Sequence, residues 1–161
     1  MDGALYRAIM RHQAGAVTVI AVGKPGDRNG LTATAVCSLS DDPPTILACI
    51  RRTARTHDAI NRLGVFSVNL LAADQQAIAE LFSGARGVSG EDRFKAADWT
   101  TLVTGAPILR GALASLDCRL EEQHGFATHS IFIGSVQDGT VRAEAEPLLY
   151  FRGDYWDLGG R

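Results

Sequence analysis

Ala16-Val17-Thr18-Val19-Ile20-Ala21-Val22, then Lys24-Pro25-Gly26-Asp27-Arg28-Asn29-Gly30, then Leu31-Thr32-Ala33-Thr34-Ala35-Val36-Cys37 is the stretch that decides the fold class. The first segment is uncharged and rich in β-branched residues, which suits a strand. The second is turn chemistry, with Asn29-Gly30 its strongest part. The third is again uncharged, so the three together predict a β-hairpin.

Upstream of this stretch, Asp2 caps a first helix in which Leu5 and Ile9 share a face with Tyr6 and Met10, and Gly15 ends it. Asp41-Asp42-Pro43-Pro44 breaks the chain, and Thr45 to Ile50 is apolar enough for a central strand. A short helix from about His57 to Leu63 is closed by Gly64, and Val65 to Leu71 is another strand. Asp74 caps a helix with Ile78, Leu81 and Phe82 on one face. Ser83 to Asp92 contains Gly84, Gly87 and Gly90 and reads as a mobile loop or lid. Ser115 to Gln123 alternates, with Leu116, Cys118 and Leu120 on one side and Asp117, Arg119 and Glu121 on the other. Strands Ser130 to Val136 and Thr140 to Ala145 flank Asp138-Gly139, and the tail carries Tyr150, Phe151, Tyr155 and Trp156. About seven strands and three short helices predict a mainly β fold, its antiparallel sheet closed as a small barrel, over a doubly wound parallel sheet.

A chain of 161 residues suits one domain over 1–161, and 46% hydrophobic with 21% charged residues argues against disorder. With 16 Lys and Arg against 18 Asp and Glu, nothing points to nucleic acid or to an anionic membrane surface. No apolar run approaches the roughly 20 residues that span a bilayer, and the N-terminus does not read as a signal peptide. Cys37, Cys49 and Cys118 form no CxxC pair and lie in apolar or alternating stretches, which suits buried free thiols in a reducing cytoplasm.

Arg51-Arg52-Thr53-Ala54-Arg55-Thr56-His57-Asp58 sets three arginines and two threonines between an apolar strand and a helix start. Free N–H groups there, with guanidinium groups nearby, suit a phosphate or pyrophosphate. The other reading has Thr56 cap the helix and leaves the arginines solvated. The small side chains of Gly30 to Ala35 allow a flat ligand onto the strand, or simply make a hairpin strand with one wet face. There is no Walker loop and no GxGxxG. His129 opens a strand, and His12, His57 and His124 do not space with it as metal ligands, so no metal site is expected. No nucleophile elbow appears, and Glu121-Glu122 reads as the wet face of a strand.

In order along the chain come Gly30-Leu31-Thr32-Ala33-Thr34-Ala35-Val36-Cys37-Ser38, Asp42-Pro43-Pro44 and Thr53-x-x-Thr56-His57-Asp58. Phe66-Ser67-Val68-Asn69-Leu70-Leu71, Phe82-Ser83-Gly84, Arg93-Phe94 and Thr104-Gly105-Ala106-Pro107 follow. Thr128-His129-x-Ile131-Phe132-Ile133-Gly134 and Tyr150-Phe151-Arg152-Gly153-x-Tyr155 complete the set. Over about Tyr6 to Leu158 this series resembles the flavin reductase-like family, the reductase components of two-component flavin-dependent monooxygenases.

The resemblance implies a split β-barrel of Greek-key-like antiparallel type, a homodimer, and flavin (FMN or FAD) near the subunit interface. By similarity Thr32, Ala33 and Thr34 line the isoalloxazine with Ser38 close by, and Ala48, Cys49, Ile50 and Arg51 run along the ring and ribityl chain. Thr53, Arg55 and Thr56 hold the phosphate, and Phe82, Ser83 and Arg93 close over the cofactor. His129 and Tyr150, Phe151, Arg152 and Gly153 contact the nicotinamide nucleotide. Asn and Ser are frequent in the family where this chain has Arg51 and Thr53, and glycine often stands at Ala127.

The implied activity is hydride transfer from NADH or NADPH to flavin, with His129 positioning the nicotinamide and reduced flavin passing to a partner oxygenase. The cofactors carry that chemistry and the protein positions them. The alternatives are a flavin-retaining oxidoreductase acting on an organic substrate, and a non-enzymatic flavin-binding module on the same fold.

Overall fold

The computed structural model describes residues 1–159, so the end of the expected 1–161 domain, Gly160 and Arg161, lies outside the described residues. The helices are α1 (Gly3–Met10), α2 (Arg55–Leu63) and α3 (Gln76–Ser83), with 3-10 turns over Ala73–Gln75 and Gly90–Ala96. The first strands are β1 (Gly15–Ala16), β2 (Thr18–Val22), β3 (Asn29–Ala33), β4 (Val36–Asp41), β5 (Pro44–Arg51) and β6 (Val65–Leu70). They are followed by β7 (Trp99–Thr100), β8 (Ile108–Leu109), β9 (Ala114–Phe126), β10 (His129–Val141), β11 (Leu149–Phe151) and β12 (Asp154–Trp156).

Seven strands form one antiparallel sheet in the order β3-β2-β6-β9-β10-β5-β4. The fold is mainly β with short helices, as the turn spacing predicts. The closed barrel is not found: β3 and β4 are the two edges, and no ladder joins them among the described residues. Only Thr34 and Ala35 separate these edges along the chain. The predicted strand Leu31–Cys37 is thus two strands broken at that bend, the first paired with β2 and the second with β5.

The hairpin of β2 and β3 pairs Val22 with Asn29 and Thr18 with Ala33. The uncharged run of β2 is explained by burial on both faces. Val19 and Ala21 pack with Phe82, Phe94 and Leu109 in one core, while Ile20 and Val22 pack with Ile60, Phe66 and Phe132 in the other. Phe66 fits the second core because position 134 is glycine: a Cβ there would lie 2.6 Å from its ring.

Several boundaries move. Helix α1 ends at Met10 with Arg11 as its C-cap and buries none of its residues. Helix α2 begins at Arg55 rather than His57, and Gly64 closes it at φ 68°. Asp74 does not cap α3: it lies in the 3-10 turn before it and pairs with Arg142. The two predicted strands around Asp138-Gly139 are one strand, β10, with an irregularity between Val136 and Asp138 instead of a turn.

The alternation predicted for β9 fails at Asp117, expected outward and fully buried. A strap over 101–113 covers that face of the sheet. Its Thr104 donates to the Asp117 carboxylate from both the main-chain N–H, at 2.7 Å, and the hydroxyl. Of the three cysteines only Cys118 is buried, and burial pushes its thiol up to about 12. Cys49 is half-buried and Cys37 is exposed on edge strand β4, so the expectation of three buried thiols fails there.

Candidate functional site

A cleft runs along edge strand β3. Because β3 pairs only with β2 among the described residues, one side of its backbone is free to bond a ligand. The central part, about 530 Å³, is floored by Leu31, Thr32, Ala33, Thr34 and Ala35. Cys49 and Arg51 of β5, His129 of β10 and Phe82 and Ser83 of α3 form its walls. Small side chains on the floor leave room for a flat group. The Thr32 hydroxyl donates to the Ala79 carbonyl at 2.6 Å, which ties the floor to α3.

The walls come together through the sheet. His129 lies opposite Arg51 in the β10–β5 ladder, so the imidazole and the guanidinium border the same space. The His129 Nδ1 is 2.9 Å from the Thr128 hydroxyl, which fixes the ring at the strand start. Below it, the buried His57 bridges α2 to β10, its Nε2 2.9 Å from the Ser130 hydroxyl and its ring edge-on to Phe132 at 5.1 Å.

One end of the cleft, about 360 Å³, is cationic. Ala54, Arg55 and Thr56 of the α2 N-terminus face Asn29, Gly30 and Leu31, with Ser89, Gly90 and Arg93 opposite. The N-cap of α2 is Ala54, which has no side-chain cap, so Thr56 does not cap the helix. An uncapped N-terminus carries unsatisfied N–H groups and a partial positive charge. None of Arg51, Arg52 and Arg55 is in an ion pair among the described residues. The arrangement suits an anion of phosphate size.

Arg93 acts differently. Its Nε donates to the Val88 carbonyl at 2.7 Å, and its Nη1 donates to the Gly30 and Phe82 carbonyls at 3.1 and 3.2 Å. It fastens the glycine-bearing loop after α3 onto β3, and burial holds its pKa below the usual arginine range. Glu91 adds a second fastening: its carboxylate takes the Arg28 guanidinium and the Arg28 N–H, the latter at 2.8 Å. These bonds to Arg28 hold the Glu91 carboxyl below the usual range.

The other end, about 490 Å³, shares Thr32, Ala33, Thr34 and Ser83 with the centre. Its outer wall is Gln76 and Glu80 of α3 together with Tyr150, Gly153, Asp154 and Tyr155 of the β11–β12 hairpin.

The structure therefore gathers Thr32, Ala33, Thr34, Cys49, Arg51, Phe82, Ser83 and His129 around one space, with Arg55, Thr56 and Arg93 at one end and Tyr150 and Gly153 at the other. Ala48 and Ile50 alternate with Cys49 and point into the core, leaving only their main chain near the cleft. Ser38 and Thr53 are exposed and line none of the three spaces. Phe151 and Arg152 also stand outside, with the Arg152 guanidinium 5.0 Å from the Phe151 ring centre. Ala54 and the acidic wall escape sequence reading: a helix start without a capping side chain is a usable signal for the first, but nothing local marks the second. Among the described residues no three His, Cys, Asp or Glu are grouped to hold a metal.

The family model described as "Flavin reductase like domain" matches residues 10–159. A curated protein of Agrobacterium fabrum, FMN reductase (NADH) RutF, is 41% identical over 150 residues, covering 93% of this chain and 85% of its own length. The structure of BorF, the flavin reductase component of a bacterial two-component tryptophan halogenase, is 34% identical with a TM-score of 0.90, covering 99% of this chain and 100% of that one. The Streptomyces globisporus NADH:FAD oxidoreductase SgcE6, solved with NAD and FAD fragments, is 30% identical with a TM-score of 0.87, covering 96% and 92%.

Proposed function

Because the chain belongs to the flavin reductase-like domain family, we propose that it reduces free FMN or FAD with NADH and releases the reduced flavin to a flavin-dependent oxygenase. It is an oxidoreductase, an NAD(P)H-dependent flavin reductase. The observation that carries the proposal is the division of the cleft: a flat central space with small side chains, one cationic end, and a second lobe open to another ligand.

The isoalloxazine belongs over Thr32, Ala33 and Thr34, between the floor and Phe82. Main-chain groups of the free β3 edge orient its polar rim, and Arg51 supplies positive charge beside it. Arg55, Thr56 and the α2 N-terminus hold the phosphate, with Arg93 across the same space and Thr53 on the exposed turn just before the helix. When both ligands are bound, the nicotinamide donates hydride to the flavin, and the protein holds the rings in register and excludes water. His129, fixed by Thr128, orients the nicotinamide and moves no proton.

The open sheet, its edges joined by Thr34-Ala35, is a split barrel. Residues 1–161 form a single domain. Two copies pair, because α1 leaves Leu5, Tyr6, Ile9 and Met10 exposed and β9 leaves Phe126 82% exposed. The protein works in the cytoplasm, where Cys37 stays a free thiol.

The test is NADH oxidation followed with and without free flavin. Fast oxidation that requires added FMN or FAD is expected, and its absence overturns the proposal. His129→Ala is expected to raise KM for NADH about five- to tenfold, as for one lost hydrogen bond, while flavin affinity by fluorescence titration stays put. Unaltered NADH kinetics in that variant remove His129 from the site.

A further inference from the structure

The two ends of the cleft differ in charge: Arg55 and Arg93 line one, Glu80 and Asp154 the other. Of the twelve residues lining the lobe between α3 and the β11–β12 hairpin, two are acidic, Glu80 and Asp154, and none is basic. We propose that Glu80 and Asp154 make this lobe a reader of an unphosphorylated adenosine ribose, selecting NADH over NADPH.

The inference rests on the flavin reductase reading, which sets the nicotinamide beside His129 and leaves this lobe for the rest of the dinucleotide. The lobe shares four lining residues with the central space, so one ligand can occupy both. Tyr150 and Tyr155 form an aromatic wall, ring centres 5.3 Å apart, which suits a nucleobase or the apolar face of a sugar. Burial, then the charges of Tyr150 and Glu80, pushes the Tyr155 phenol up, so it stays a neutral hydroxyl.

Ribose hydroxyls are donors that carboxylates accept, whereas a 2′-phosphate is an anion that carboxylates repel. The Glu80 carboxyl is held below the usual range by the bond from Arg86 at 2.6 Å, then by the one from Gln76 at 2.9 Å, so it stays ionised. That pairing has a second effect: it occupies Arg86, a cation that a 2′-phosphate would otherwise recruit. Asp154, on the hairpin wall of the lobe, accepts the Tyr155 N–H at 2.8 Å through its carboxylate. Arg7 and Arg11 line a separate depression that shares only Thr34 and Tyr150 with this lobe.

The experiment measures kcat/KM for NADH and NADPH, with saturating FMN, in the parent protein, Glu80→Gln, Asp154→Asn and the double variant. The parent is expected to prefer NADH at least tenfold. In the double variant the NADPH-to-NADH ratio is expected to rise at least threefold, and Glu80→Gln combined with Arg86→Met is expected to give back part of the gain made by Glu80→Gln alone. Circular dichroism and flavin affinity establish that each variant is folded. A parent that uses the two nucleotides equally, or a double variant whose ratio rises less than threefold, overturns the inference. A parent that oxidises NADH normally while either of those results is seen leaves the flavin reductase reading standing; one that oxidises neither nucleotide with flavin overturns that reading first.

Discussion

Asn69→Leu is expected to lower the stability of this protein by about 4 kcal/mol, because several buried polar groups lose their partner at once. Asn69 lies on β6 and is fully buried. Its Nδ2 donates to the Val19 carbonyl at 3.1 Å and to the Ser67 hydroxyl at 2.9 Å. Its Oδ1 accepts the Leu109 N–H and the Ser115 hydroxyl, each at 2.9 Å. One side chain thus joins β2, β6 and β9 to the strap that carries β8. Leucine has a similar volume, so no cavity confuses the result. Two donors and a carbonyl are left dry, each costing about 1–3 kcal/mol.

A loss of that size is a large share of the roughly 5–15 kcal/mol that holds a domain together. The melting temperature is expected to fall by about 10 °C, and the urea midpoint to drop with the slope unchanged. A shift of under about 2 °C would mean that water or rearrangement repairs the network. The effect reaches the cleft, because β8 pairs with β7 and Trp99 of β7 packs on Phe94 and Phe82 at 4.7 and 5.6 Å.

The sequence shows β2 and the turn after it plainly, because an uncharged β-branched run followed by Asn29-Gly30 has few other uses. It does not show that the next run breaks at Thr34-Ala35. No proline or glycine marks the bend; the two halves separate because each pairs with a different strand. Asp117 misleads for a similar reason. Alternation assigns it to solvent, and only the strap, distant in sequence, supplies the N–H and hydroxyl that let a carboxylate be buried. The arginine-rich stretch is legible as chemistry but not as geometry. Arg55 and Thr56 reach the cleft because α2 starts two residues earlier than its periodicity indicates, whereas Thr53 falls on the exposed turn before it. Glu80 and Asp154 come together from α3 and a hairpin over seventy positions away, and no local pattern anticipates that meeting.

Arg55→Ala tests the cationic end of the cleft with the second large effect. The residue is the first of α2, beside the unsatisfied N–H groups of that turn, and it has no acidic partner among the described residues. A phosphate here would take charge-assisted bonds worth about 1.5–3 kcal/mol each, so losing one is expected to weaken FMN binding about tenfold to a hundredfold. Arg93 is a poorer choice, because its guanidinium is spent on the Val88, Gly30 and Phe82 carbonyls and its removal would release the loop as well. Riboflavin makes the result specific: it carries the same ring and ribityl chain without the phosphate. Its affinity is expected to stay within about twofold in Arg55→Ala, since a substitution at this end leaves the ring contacts intact. The FMN affinity of the variant is also expected to respond less steeply to added salt, because one screened charge pair is gone. Equal losses for FMN and riboflavin would move the phosphate away from α2 and leave the uncapped helix start without a ligand.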